Sequence, residues 1–153
     1  MPDRSKTRAS PSKTELFELI IDSSTDFAVF TMDPHGILTS WNIGAERLFG
    51  YAEGEIVGGS ADLIFTPEDR EAGAPEKERV QARAKGRALD ERWHQRKDGS
   101  RFWASGLLMP LKDVGCGFVK ITRDRSEQHR GEERLRENEE RFRLLATSIP
   151  QLS

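Results

Sequence analysis

Apolar positions along the chain follow two periods, and the switches between them mark the elements. In TELFELIIDS (14–23), Leu16, Leu19 and Ile20 recur at helical spacing, with Thr14 at the cap position. DFAVFTMD (26–33) alternates as a strand does, and GILTSWN (36–42) supplies a second strand. Between them, Asp33-Pro34-His35-Gly36 has Asp, Pro and Gly at the first, second and fourth positions of a type I turn, which puts His35 at an exposed position. WNIGAERLFGY (41–51) returns to helical period. Asn42 caps it, Ala45, Leu48 and Phe49 share a face, and Gly50 ends it.

AEGEIVG (52–58) fits a further short helix. Thr66-Pro67-Glu68-Asp69 is a helix start, with a cap, proline at the first turn and acids at the positive end of the dipole; Gly73 and Pro75 break that helix. From Pro75 to Lys85 the only apolar residues are Val80 and alanines, so this helix is expected to dock weakly and move easily. Strands follow at about 88–96, 100–112 and 116–124. The order β-β-α-α-α-β-β-β predicts an α+β fold: a five-stranded antiparallel sheet with its helices between strands two and three, behind an N-terminal capping helix.

RWHQRKDGSRFW (92–103) reads as a hairpin, and its loop length sets which side chains share a face. A two-residue Asp98-Gly99 loop pairs His94 with Trp103. A three-residue Lys97-Asp98-Gly99 loop, with Gly99 left-handed, pairs Trp93 with Trp103 and His94 with Phe102.

From Ser126 the chain is charged and helical. Leu135, Phe142 and Ile149 lie seven apart, with Leu145 between the last two and Asn138 at the equivalent earlier position. This is a short heptad seam for a coiled coil, the alternative being one amphipathic helix folded back on its own sheet. Gly131 weakens the start by roughly 1 kcal/mol relative to alanine. ELFELIIDSSTDF (15–27) also aligns with ERFRLLATSIPQL (140–152), with Glu15, Phe17, Leu19 and Ser23 matching Glu140, Phe142, Leu144 and Ser148. The match suggests a second copy of the module that begins and is cut off. The domain reading is therefore a disordered polar arm over 1–13, a domain over 14–125 with its cap helix at 14–23, and a helical linker over 126–153 that runs into the truncated repeat.

Composition changes this picture little. Over 153 residues, 24 Lys and Arg meet 26 Asp and Glu, for a formal charge of −2. That balance gives no case for a nucleic-acid surface. Apolar residues make up 35% and charged residues 33%, which predicts a modest core with long solvated segments. Cys116 is the single cysteine, which excludes an internal disulfide and a cysteine zinc cluster and fits a reducing, cytoplasmic setting. No apolar run approaches the roughly 18 residues of a membrane span, so no membrane contact is expected. Phosphate-binding glycine loops are absent. Cys116, His94 and Asp124 have the types of a nucleophilic triad but no local signature joins them, and the acidic residues sit on helices at solvated spacing. No catalysis and no metal site are expected of this segment.

DPHGILTSWNIGAERLFGYAEGEIVG (33–58), RKDGSRFW (96–103) and GFVKITRDRS (117–126) together resemble a PAS domain over about 14–125. The final strand of that family ends in a short Asp-x-Thr motif, here Asp124-Arg125-Ser126, and Ser126 can still cap the outgoing helix. The resemblance implies a sensory and homodimerising module of a bacterial signalling protein, such as a PAS-containing histidine kinase. Asp124 and Ser126 would then lie on the route to a downstream effector in the same chain. The alternative is a constitutive homodimerisation scaffold with a filled core.

Family members bind haem, flavins or small metabolites, or nothing. Haem needs an axial ligand, commonly a histidine on the helix before the last three strands, and 67–86 contains none. The LOV photoadduct needs a cysteine before that helix, and GGSADLIFTPEDR (58–70) has none. Flavin held without a covalent bond stays compatible with the residues. FWASGLLMP (102–110) is similar to the flavin-lining strand of LOV domains and favours the three-residue loop, with Phe102, Ala104 and Gly106 facing inward. The small Ala104 and Gly106 either leave space for a ligand or let Trp41 and Phe49 fill it. The pocket candidates are Trp41, Phe49, His94, Phe102, Ala104, Gly106 and Leu108. For His94 the alternative is a core histidine bonded to backbone. Trp93, Trp103, Leu107 and Met109 then face outward and need a cover, supplied by Leu16, Leu19 and Ile20 of the first helix or by a second subunit.

Overall fold

A computed structural model describes residues 12–112 and 115–148. The order is α1 (Lys13–Ser23), β1 (Ala28–Met32), β2 (Leu38–Trp41), α2 (Ile43–Phe49), α3 (Glu53–Ile56), a 3-10 turn (Ala61–Ile64), α4 (Pro67–Glu71), α5 (Ala74–Lys85), β3 (Ala88–Gln95), β4 (Arg101–Pro110), β5 (Phe118–Asp124) and α6 (Ser126–Ser148). The strands form one antiparallel sheet in the order β2-β1-β5-β4-β3. Helices α2 to α5 lie between β2 and β3 in the chain, as the pattern predicts. No described helix is long and apolar enough to cross a membrane.

Local chemistry sets the boundaries. Asp33 Oδ1 accepts from the His35 and Ile37 N–H groups at 2.8 and 3.0 Å, and Gly36 takes φ 87°, which closes the first hairpin. Asn42 caps α2, its Oδ1 accepting from Ala45 N–H at 2.8 Å, and its Nδ2 donates back to the Ile21 and Phe27 carbonyls at 2.9 and 3.1 Å. One buried side chain thus starts a helix and anchors the end of α1.

The second hairpin has the three-residue loop. Arg96 N–H bonds Ser100 O at 2.8 Å, Gly99 has φ 88°, and the register pairs Trp93 with Trp103 and His94 with Phe102.

The structure corrects several expectations. Ser12, not Thr14, caps α1: its hydroxyl accepts from Glu15 N–H at 3.1 Å. The 3-10 turn at Ala61–Ile64 has no counterpart in the sequence reading, because four residues carry no period.

Helix α5 does not dock weakly. Pro75, Glu78 and Ala82 form its buried stripe, and Glu78 is only 5% exposed, while Val80 faces solvent. A glutamate at a core position hides the helical period from any count of apolar residues.

Finally, α1 does not cover the outer sheet face. It packs toward α2 through Asn42, and Leu16, Leu19 and Ile20 stay exposed. The start of α6 lies over Trp93 and Trp103 instead, with the His129 ring stacked on Trp103 at 4.0 Å and edge-on to Trp93 at 5.4 Å. Of the arm over 1–13, Ser12 and Lys13 cap and begin α1, while residues 1–11, Ile149 of the heptad seam and the last residues of the repeat lie outside the described residues.

Candidate functional site

The inward face of the sheet and helices α2 to α5 enclose the predicted pocket. Trp41, Phe49, His94, Phe102, Ala104 and Leu108 are all buried there. Their rings pack on one another. Phe49 lies 5.5 Å from Trp41, 5.3 Å from Phe102 and 6.1 Å from His94 between ring centroids, and Phe30 closes the group at 4.9 Å from Trp41. These tilted and edge-on arrangements are those aromatic pairs prefer.

Gly106 does not open space for a ligand. A Cβ there would sit 2.8 Å from the Ile121 carbonyl and from Thr122, its partner on β5. The glycine is needed for strand packing.

His94 sits at one edge of this aromatic group and begins a charged network that the sequence reading missed. A bridge between Phe65 and His94 brings the 3-10 turn over the strand. His94 Nδ1 then donates to the Ile64 carbonyl at 2.9 Å, and Nε2 donates to Asp90 Oδ2 at 2.6 Å. The ring is thus held at both nitrogens.

Asp90 also takes the ammonium of Lys120 and the guanidinium of Arg92. Lys120 reaches on to Glu78 Oε1 at 2.7 Å. Asp90, His94 and Lys120 are fully buried, and Glu78 Oε2 has no hydrogen-bond partner. The acidic side chains are therefore not all at solvated spacing: Glu78 of α5 is buried against Lys120 of β5.

The network sets its own titration. Burial alone would raise the Asp90 carboxyl, but Lys120 and His94 outweigh it and hold Asp90 well below the ordinary 3.8. Burial wins at Glu78, which is raised above 4.5 despite Lys120. Burial would lower Lys120, yet Asp90 and Glu78 raise it above 10.5.

Stability is therefore expected to fall once pH drops below 3.8, where the unfolded chain binds a proton at Asp90 that the fold resists. Glu78 opposes this at higher pH, since its folded form binds a proton first and so gains stability on acidification down to 4.5. Lys120 supports the fold below 10.5, and that support is lost as pH rises through its raised folded value. Denaturant midpoints measured across the pH range test this; a flat profile below 3.8 would remove Asp90 from the account.

A second group joins sheet to outgoing helix. Asp124 Oδ2 accepts from Arg96 Nη2 at 3.2 Å, and Oδ1 accepts from Ser126 N–H at 2.8 Å. The Ser126 hydroxyl does not cap α6. It accepts instead from Trp103 N–H at 2.9 Å, while Trp103 O accepts from Arg125 N–H at 2.7 Å. Asp124 supplies the capping acceptor that Ser126 was expected to provide.

A five-stranded antiparallel sheet with its helices inserted after β2 and a helix leaving directly from β5 makes one α+β fold. The PAS domain family model matches residues 26–127, and the chain belongs to that family. A 120-residue stretch is 40% identical to two-component system protein A of Emericella nidulans, covering 77% of this chain and 18% of that one. The chain thus spans under a fifth of the length of that relative.

Among solved structures, a PAS domain from Colwellia psychrerythraea superposes with a TM-score of 0.69 at 22% identity, over 76% of this chain and 99% of that one. A domain of a sensory box sensor histidine kinase/response regulator from Geobacter sulfurreducens gives 0.64 at 16%, over 73% and 94%. The chain is a PAS domain of the kind found in two-component signalling proteins.

Proposed function

We propose that this chain is a sensory and homodimerising relay whose output leaves through α6 to an effector in the same polypeptide, such as a histidine kinase. The observation that carries the reading is the junction: both backbone groups of Trp103, near the start of β4, are bonded to residues 125–126 at the root of α6. A shift in β4 therefore acts directly on the start of the helix. Leu135 and Phe142 on α6 are 61% and 76% exposed, at seven-residue spacing suited to a paired helix. With Trp93 and Leu107 on the outer face, they outline the surface a second copy would cover.

Phe49 lies 5.5 Å from Trp41 and 5.3 Å from Phe102 between ring centroids, so aromatic side chains occupy the inward face of the sheet. That packing favours a second reading, a constitutive homodimerisation scaffold. An absorption spectrum of the purified protein between about 350 and 500 nm, with mass analysis of the denatured sample, separates the two. A bound chromophore or metabolite supports sensing; a blank result on both counts supports the scaffold.

The paired-helix part has its own test. Leu135→Asp combined with Phe142→Asp is expected to shift sedimentation toward monomer, by at least about tenfold in dissociation constant for charges placed in a helix seam. An unchanged profile would sink the seam.

A further inference from the structure

A cleft of about 630 Å³ opens beside the junction, between the α1–β1 connection, α2, the β3–β4 hairpin and the end of β5. Three guanidiniums line it: Arg47 of α2, Arg96 of the hairpin and Arg123 of β5. Two are held ready by ring faces, Arg96 over Phe102 at 4.6 Å and Arg123 over Phe27 at 5.2 Å. Stacking of this kind fixes the planar fork without consuming its donors. Arg96 is further set by its Nε donating to the Leu48 carbonyl at 3.1 Å and by Nη1 donating to Ser100 Oγ at 3.2 Å.

Neither Arg47 nor Arg123 has a carboxylate within ion-pair distance among the described residues. Asp26 and Asp124 also line the cleft, but Asp124 is already engaged by Arg96 and by Ser126 N–H. The lining thus holds three guanidiniums against two carboxylates, with Phe27 and Leu48 beside them.

We infer that this cleft binds a small oxyanion, a carboxylate or phosphate group bridged by Arg47, Arg96 and Arg123. Guanidiniums take such groups in bidentate geometry, and three around one cleft suit a multiply charged anion. Binding has a built-in consequence. The anion competes with Asp124 for Arg96, and the carboxylate it frees is the one that accepts from Ser126 N–H at the start of α6. The anion thus acts on the root of the output helix from outside the domain interior. Binding stands independently of the proposed relay; the effect on α6 rests on it.

The test is amide and Arg Nε NMR titration of the full 153-residue chain with inorganic phosphate and with citrate, against chloride at matched ionic strength. Saturable shifts at residues 25–27, 47–48, 96 and 123–126 are expected with one or both probes and not with chloride. Citrate alone would assign the site to carboxylates, and phosphate alone to phosphates. Arg47 is exposed and has no intramolecular partner among the described residues, so Arg47→Gln keeps the fold. That variant, confirmed folded by circular dichroism, is expected to weaken binding at least tenfold, as is Arg123→Gln.

Shifts that track ionic strength whatever the anion, or that survive both substitutions, overturn the site. Arg47-dependent binding that leaves Ser126 and the first turn of α6 unmoved keeps the site and overturns its link to the helix.

Discussion

Asp90→Ala is expected to destabilise the domain by about 3–5 kcal/mol, the range for removing one member of a buried ion pair. In a thermal melt that is a fall of roughly 10–20 °C for a domain of this size. Asp90 is the shared acceptor for Lys120, His94 and Arg92, so its loss leaves two fully buried donors facing one another across an empty position. Glu78 holds Lys120 from the other side but does not reach His94 through any hydrogen bond. The expected order is therefore Asp90→Ala well below Glu78→Gln, which keeps the side-chain volume and removes a group whose second oxygen is already unpartnered. Melting points within a degree or two of the parent for Asp90→Ala would mean that water reaches the network and screens it.

Phe49→Ala is expected to cost about 3–5 kcal/mol by a different route, lost burial plus the cavity left behind. Phe49 is fully buried where Phe30, Trp41, Phe102 and His94 converge, at centroid distances of 6.0, 5.5, 5.3 and 6.1 Å. Those neighbours come from β1, β2, β3 and β4, so no single element can move to fill the hole. The cavity would be apolar, and benzene in the buffer is expected to recover part of the lost midpoint in the variant and none in the parent. A loss under about 1 kcal/mol would show that the surrounding rings collapse freely, and with it that the interior readily changes shape.

The elements with strong local chemistry were legible before the structure. Asn42, Gly50, Thr66-Pro67 and the Asp33–Gly36 turn act within a few residues, so sequence alone exposes them. The hairpin register was legible once the loop length was chosen, because alternation then sets the direction of every side chain from Ala88 to Leu108.

The charged network was not. Asp90 and Lys120 belong to strands far apart in the chain, and each looks like a solvated residue alone. The parity was available all the same: His94 facing inward puts Asp90 inward too, and Phe118 does the same for Lys120. What sequence could not supply was their meeting with Glu78, which depends on how α5 lies across the sheet. The same holds for Gly106, whose close neighbour Thr122 sits on β5.

Only Arg125 separates the last residue of β5 from the first of α6. With its N–H bonded to Trp103, that single residue has no slack, and the junction acts as a splined coupling that sets the angular phase of the helix relative to the sheet. At 3.6 residues per turn, one residue inserted after Arg125 turns the Leu135–Phe142 stripe by about 100°, whereas seven return it to within about 20°. Lengths of α6 that differ by whole heptads therefore present its apolar stripe at nearly the same angle to the sheet.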